Sequence, residues 1–148
     1  MNQYSLRTLP DGRTLLASGS PWEPIMGYSR AVATGPNVYV SGCVGLAADG
    51  TYPAGIAAQT ACCLQRIGDA LQQFGLDLSA VVRLRIYTTR PQEWRDIASV
   101  MSPAMSTAMP AATLLGVAAL IDAEALIEIE VDAVRLKATE AVEKLLSV

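Results

Sequence analysis

The acid–base chemistry open to this chain falls to carboxylates, tyrosines, cysteines, lysines or bound water, because its 148 residues include no histidine. A Ser-His-Asp triad, a Cys-His dyad and the usual zinc sites are excluded at once. The sharpest cluster is Glu128, Glu130 and Asp132, each two residues from the next. On a strand that spacing puts all three on one face. Glu128 can be read as a carboxylate that orients an attacking water, or as one of three ordinary acids on an exposed strand face. Arg83 and Arg85 repeat the same spacing and would pair with the acids if the two strands lay close. A carboxylate sequestered in a cleft has its pKa raised by desolvation, which suits proton transfer near neutral pH.

Other candidates surround this cluster. Tyr28 can donate a hydrogen bond to a ligand or pack as a loop aromatic. Arg30, close to it in sequence, is either a surface residue or a cation for an anionic ligand. Cys43 lies at a strand end after Ser41-Gly42. As a nucleophile it needs a helix end or a nearby arginine to lower its pKa, and otherwise it is a small buried hydrophobe. Cys62 and Cys63 are adjacent within a helical pattern and read as packing residues. Met101, Met105 and Met109 recur every four residues, as an apolar ligand lining or as core. Trp22 stands between prolines, flanking a cleft or stapling its loop.

These residues need elements to position them. Residues 4 to 17 read as two short strands about a turn at Pro10-Asp11-Gly12. Residues 18 to 29, with two glycines and two prolines, read as a loop. A strand follows Gly35-Pro36 over 37–41. Ile56, Thr60, Cys63, Leu64, Ile67, Leu71 and Phe74 fall on one helical face, and Gly75 ends the run. Val82, Leu84, Ile86 and Thr88 alternate with Arg83, Arg85 and Tyr87 as a half-buried strand. Pro91 suits the first turn of a second helix with Trp94, Ile97, Ala98 and Met101 inward and Pro103 at its end. Strands are expected over about 111–120 and 125–136, then a last helix over about 137–146. The pattern is a single α+β domain, a mixed sheet with helices packed on one face. The other sheet face, bearing some apolar residues, invites self-association.

Composition narrows the function classes. Fourteen acidic against eleven scattered basic residues give a net charge of −3, which argues against nucleic-acid binding. No run of 18 apolar residues marks a membrane span, and no leader-like segment opens the chain, so a cytoplasmic location is expected. Three cysteines without a regular spacing fit a reducing compartment.

Several stretches, taken together, resemble the RidA/YjgF (reactive intermediate deaminase) family. They include Gly27-Tyr28-Ser29-Arg30-Ala31-Val32, Val38-Tyr39-Val40-Ser41-Gly42, Gly75-Leu76-Asp77-Leu78, Arg85-Ile86-Tyr87-Thr88-Thr89, Pro110-Ala111-Ala112-Thr113 and Leu126-Ile127-Glu128-Ile129-Glu130. The resemblance implies a chorismate-mutase-like fold and a homotrimer with a ligand cleft between subunits. It implies hydrolysis of enamines or imines without metal or organic cofactor. Glu128 would hold the water that attacks the C=N carbon, and Tyr28 would assist. Ser41, Gly42 and Cys43 would line the cleft, with Arg30 nearby. The departure is at the carboxylate clamp. Where the deaminases carry arginine this chain has Ala112, followed by Thr113 and Leu114, and neither Met109 nor Ala111 supplies a charge. Alanine cannot replace a bidentate guanidinium, so a simple amino-acid-derived carboxylate is not the expected substrate. Two alternatives stand beside this reading: a trimer that binds a small metabolite without chemistry, and a tailoring enzyme performing a cyclisation or tautomerisation.

Overall fold

The computed structural model describes residues 4–136, so the expected helix over 137–146 lies outside the described residues. Seven strands form one sheet: β1 Ser5–Thr8, β2 Thr14–Ala17, β3 Ala31–Thr34, β4 Asn37–Val44, β5 Val81–Thr88, β6 Ala111–Gly116 and β7 Ile127–Val134. Their order across the sheet is β1-β2-β3-β4-β7-β5-β6. Among the described residues only β5 and β6 pair in parallel, joined by a helical crossover. Helices α2, Ile56–Gln72, and α3, Trp94–Ala104, cover one face. This is the expected α+β arrangement.

The alternation seen in the sequence explains why β7 sits at the centre. Ile127, Ile129, Val131 and Ala133 are almost fully buried beneath the helices. Glu128, Glu130 and Asp132 are half-buried on the opposite, open face. α2 meets the covered face with Ile56, Thr60, Cys63, Leu64, Ile67 and Leu71, the stripe expected from its spacing.

Several boundaries differ from expectation for local reasons. The turn at Gly35, which takes φ +55, is part of a hairpin whose first strand, β3, is too short and too alanine-rich to announce itself. The expected loop over 18–29 contains a one-turn helix, α1, Trp22–Met26. Glu23 anchors it: its buried carboxylate accepts hydrogen bonds from the Ser18 N–H at 3.0 Å and the Ser18 hydroxyl at 2.6 Å. A bulge between Val81 and Arg83 puts Val81 in the core and leaves Val82 45% exposed, contrary to the simple alternation. A 3-10 turn at Pro91–Glu93 precedes α3, and Pro103 lies inside that helix rather than ending it. Trp94, expected in the buried stripe, is about half exposed. The last two strands are also shorter than their apolar runs, ending at Gly116 and Val134.

Candidate functional site

The centre of the candidate site is a break in the β4–β7 ladder. Val40 pairs with Val131 and Cys43 with Ile129, so Ser41 and Gly42 together oppose one residue of β7. Such a bulge re-aims side chains and opens the backbone locally. The Glu128 carboxylate lies over Gly42. A Cβ at Gly42 would fall well inside van der Waals contact with Glu128 Oε1, so glycine leaves the carboxylate this seat and a side chain there would make it swing away. Sequence spacing singles out three acids, and the structure separates them. Glu130 accepts hydrogen bonds from Arg85 Nη1 at 3.0 Å and the Tyr87 hydroxyl at 3.3 Å, and Asp132 lies 3.6 Å from Arg85 Nη2. Arg85 therefore makes the pairing expected of it. Glu128 makes no hydrogen bond or ion pair with the described residues. Burial pushes its carboxyl pKa up. The nearby Arg30 charge opposes that rise, and Glu130 adds to it. A half-buried carboxylate with spare acceptor capacity and a raised pKa is suited to holding and deprotonating a water.

Arg30 is not a surface residue. It is 5% exposed, and its Nη1 donates to the carbonyls of Gly42 at 2.7 Å and Ser41 at 3.2 Å. Its Nη2 donates to the Tyr28 hydroxyl at 3.1 Å, while its guanidinium carbon lies 5.6 Å from the centre of that ring. Ser41 completes the frame by donating its hydroxyl to the Ser29 carbonyl at 2.7 Å. Arg30 is thus a strut that fixes the bulge and Tyr28. With its Nη groups engaged, it is poorly placed to clamp a ligand anion.

Cys43 faces the core and has the nearby arginines that activation would require. Arg30 Nη1 is 3.4 Å from its sulfur, and Arg66 also acts on it. Burial nevertheless dominates and pushes the thiol pKa up, so the thiol stays protonated in the core, accepting from Arg30 Nη1 and donating to the Ser41 carbonyl at 3.4 Å. Cys63 is buried with its thiol likewise raised. Arg66 and Glu23 carry no motif or period that marks them in the sequence. Arg66 stands three residues before Asp69 in α2, the spacing of an ordinary helix-surface pair, and Glu23 carries no periodic signal of its link to Ser18. No three Cys, Asp or Glu side chains converge as metal ligands among the described residues.

Ala112, Thr113 and Leu114 are not brought to Glu128 within one chain. Strand register sets Ala112 beside Leu84 and Leu114 beside Ile86, on the helix-covered face. Thr113 registers with Arg85 on the open face. Strand β5 separates β6 from β7.

Comparison with known proteins agrees with this architecture. The family model described as Endoribonuclease L-PSP matches residues 17–135. An uncharacterised protein of Streptomyces coelicolor is 33% identical over 119 residues, covering 80% of this chain and 89% of that protein. The crystal structure of Rv2704 from Mycobacterium tuberculosis, described as a member of the YjgF/YER057c/UK114 family, is 43% identical. It covers 83% of this chain and 99% of that chain with a TM-score of 0.77. RidA from the Antarctic bacterium Psychrobacter sp. PAMC 21119 is 28% identical, covering 72% of this chain and 87% of that one, with a TM-score of 0.69. With the matched region running from β2 to the end of β7, the chain belongs to the Endoribonuclease L-PSP family, the YjgF/RidA family of its sequence motifs.

Proposed function

We propose that this chain is a cofactor-independent hydrolase of small imines and enamines, working as a homotrimer with Glu128 holding the attacking water. The observation that carries this reading is the unpaired Glu128 carboxylate seated over Gly42, beside two acids that are already paired. In the imine form of the substrate, water adds to the C=N carbon as Glu128 takes its proton. Glu128 then returns that proton to nitrogen. Glu128 next takes the carbinolamine's hydroxyl proton and passes it to nitrogen as the C–N bond breaks and the C=O bond forms, so imine and water become carbonyl and ammonia. Tyr28, oriented by Arg30, offers its hydroxyl to the substrate nitrogen.

Assembly of more than one copy, as in the proposed trimer, is supported by the separation of the two halves of the expected cleft. Ala112 and Leu114 lie on the face opposite Glu128, so a cleft containing both draws them from different copies. The family description suggests RNA cleavage as another activity. The open face does not favour it, because the unpaired Glu128 would repel a phosphate backbone there while Arg85 is already engaged by Glu130 and Asp132.

The test is ammonia release from enamines generated in situ. An uncharged, apolar enamine should be turned over, whereas 2-aminoacrylate should be turned over far more slowly than by an arginine-bearing family member. Glu128→Gln should lower turnover about 10²–10⁴-fold, the usual range for losing a general base. Full activity in Glu128→Gln would refute the proposal. Ligand binding without ammonia release from any imine would favour the non-catalytic alternative.

A further inference from the structure

Helices α2 and α3 leave an open groove of about 380 Å³ on their outer side, away from the sheet and from Glu128. Leu64, Leu78 and Val100 form its apolar bed, and Ala61 and Gly68 form a low wall on α2. Asp77 is the one charged residue of that lining among the described residues. Gly68 is out of place on local grounds. Glycine is a poor helix former, yet it stands inside α2. A Cβ at Gly68 would meet nothing within 4 Å, so no contact among the described residues requires the glycine. The near end of the groove lies where the described chain stops. Arg135 donates its backbone N–H to the Pro36 carbonyl at 2.7 Å, and its guanidinium bonds the Phe74 carbonyl just past the carboxyl end of α2. Gln72, Asp77 and Leu78 line the groove at that same end. Leu136 follows, 78% exposed.

We infer that this groove seats residues 137–148 of the same chain, laid as a short helix antiparallel to α2. That segment lies outside the described residues, and its sequence supplies the argument. On a helix, Ala138, Ala141, Val142, Leu145, Leu146 and Val148 share one side, and the polar and charged residues share the other. So short a helix is marginal in water until its apolar side is buried. The length fits. With two residues spent on the turn, ten helical residues span about 15 Å, against about 16 Å from Gln72 back to Ala61 at the same rise. Gly68 explains itself under this arrangement, because the missing side chain lets a second helix come close. The charges agree as well. α2 has no basic residue in its last turn, and Lys137 would stand beside that end and beside Asp77, where the helix dipole favours a cation. The segment lies beyond the matched family region, so the contact belongs to this chain rather than to the shared fold.

The experiment is hydrogen exchange, read by mass spectrometry on the full chain. Amides of residues 139–148 should exchange at least ten times more slowly than in a free peptide of that sequence. Gly68→Gln puts a side chain into the seat and replaces a poor helix former with a better one, so α2 is kept. It should return the segment to the free-peptide rate. Val142→Asp changes the segment instead of the groove and should do the same. Free-peptide exchange in the parent, or protection that survives either variant, would overturn the inference. So would protection that disappears on dilution to single chains, since the segment would then lie on a second copy.

Discussion

Glu128 carries a consequence for stability as well as for chemistry. Its carboxyl pKa is raised in the folded chain above the ordinary carboxylate value, because burial disfavours the ion. The folded state therefore holds the proton more tightly than the unfolded state. Any stability from the protonated acid is fully present below the unfolded pKa and is lost as pH rises through the folded one. Glu128→Gln removes the ionising group, so its melting temperature should exceed that of the parent at pH 7–8. The two should converge at about pH 4. A melting series across that range checks the sign, and a variant less stable at every pH would mean that the carboxylate is paired after all. Turnover of the parent should rise with pH through the same raised pKa, because the water-holding form is the carboxylate. Gly42→Ala tests the geometry separately. The new methyl group would push the flexible end of Glu128 off its seat on the open face, which should cost less than the ~1–3 kcal/mol of overpacking a core. Chemical denaturation would measure that loss, and turnover should fall with it. By contrast, Arg85→Met removes a half-exposed ion pair with Glu130 and should cost less than about 1 kcal/mol.

Elements decide whether those residues stay in place, and the least obvious of them is α1. Five residues form no stable helix alone, since nucleation outweighs a single turn of hydrogen bonds. The Glu23 carboxylate compensates by satisfying both donors of Ser18. Glu23→Ala would leave the Ser18 backbone N–H without its buried acceptor, at a cost of about 1–3 kcal/mol. Limited proteolysis should then cut within residues 18–29 faster than in the parent, and turnover should drop as Tyr28 loses its support. An unchanged cleavage rate would show that the segment is held by other means. This anchor explains where the sequence reading stopped. Periodic apolar residues announced α2, β5 and β7, because burial on one face forces a repeat of 3.6 or 2 residues. Glu23–Ser18, the Val82 bulge and the Arg30–Gly42 contact depend on one side chain meeting one distant or irregular backbone group. Such pairings leave no period to detect. Glu128 was legible by family position, while its freedom from Arg85 needed the strand register.

At the scale of the whole molecule, the open sheet face is the feature that needs an occupant. It carries Tyr39 and Leu115, both about half exposed, alongside the three acids of β7. A β-sheet face with that mixture can remain wet, but β6 is also an edge strand exposed along its whole length. Proteins usually cover or charge such an edge, and this one has no charged residue from Ala111 to Gly116. Assembly through the open face and this edge would cover both and would bring Ala112 of one copy toward Glu128 of another. Leu115→Asp places a charge on that face beside the acids, where burial against a second copy would be costly. The parent should sediment as a species of about three times 15.6 kDa, and Leu115→Asp should run as a single chain of 15.6 kDa with unchanged helix and strand content. Imine turnover should vanish with the assembly, although every residue of the Glu128 site is intact in each chain. A parent that sediments as one chain yet hydrolyses imines would show that the site is complete within a single subunit, and the two-copy cleft would have to be abandoned.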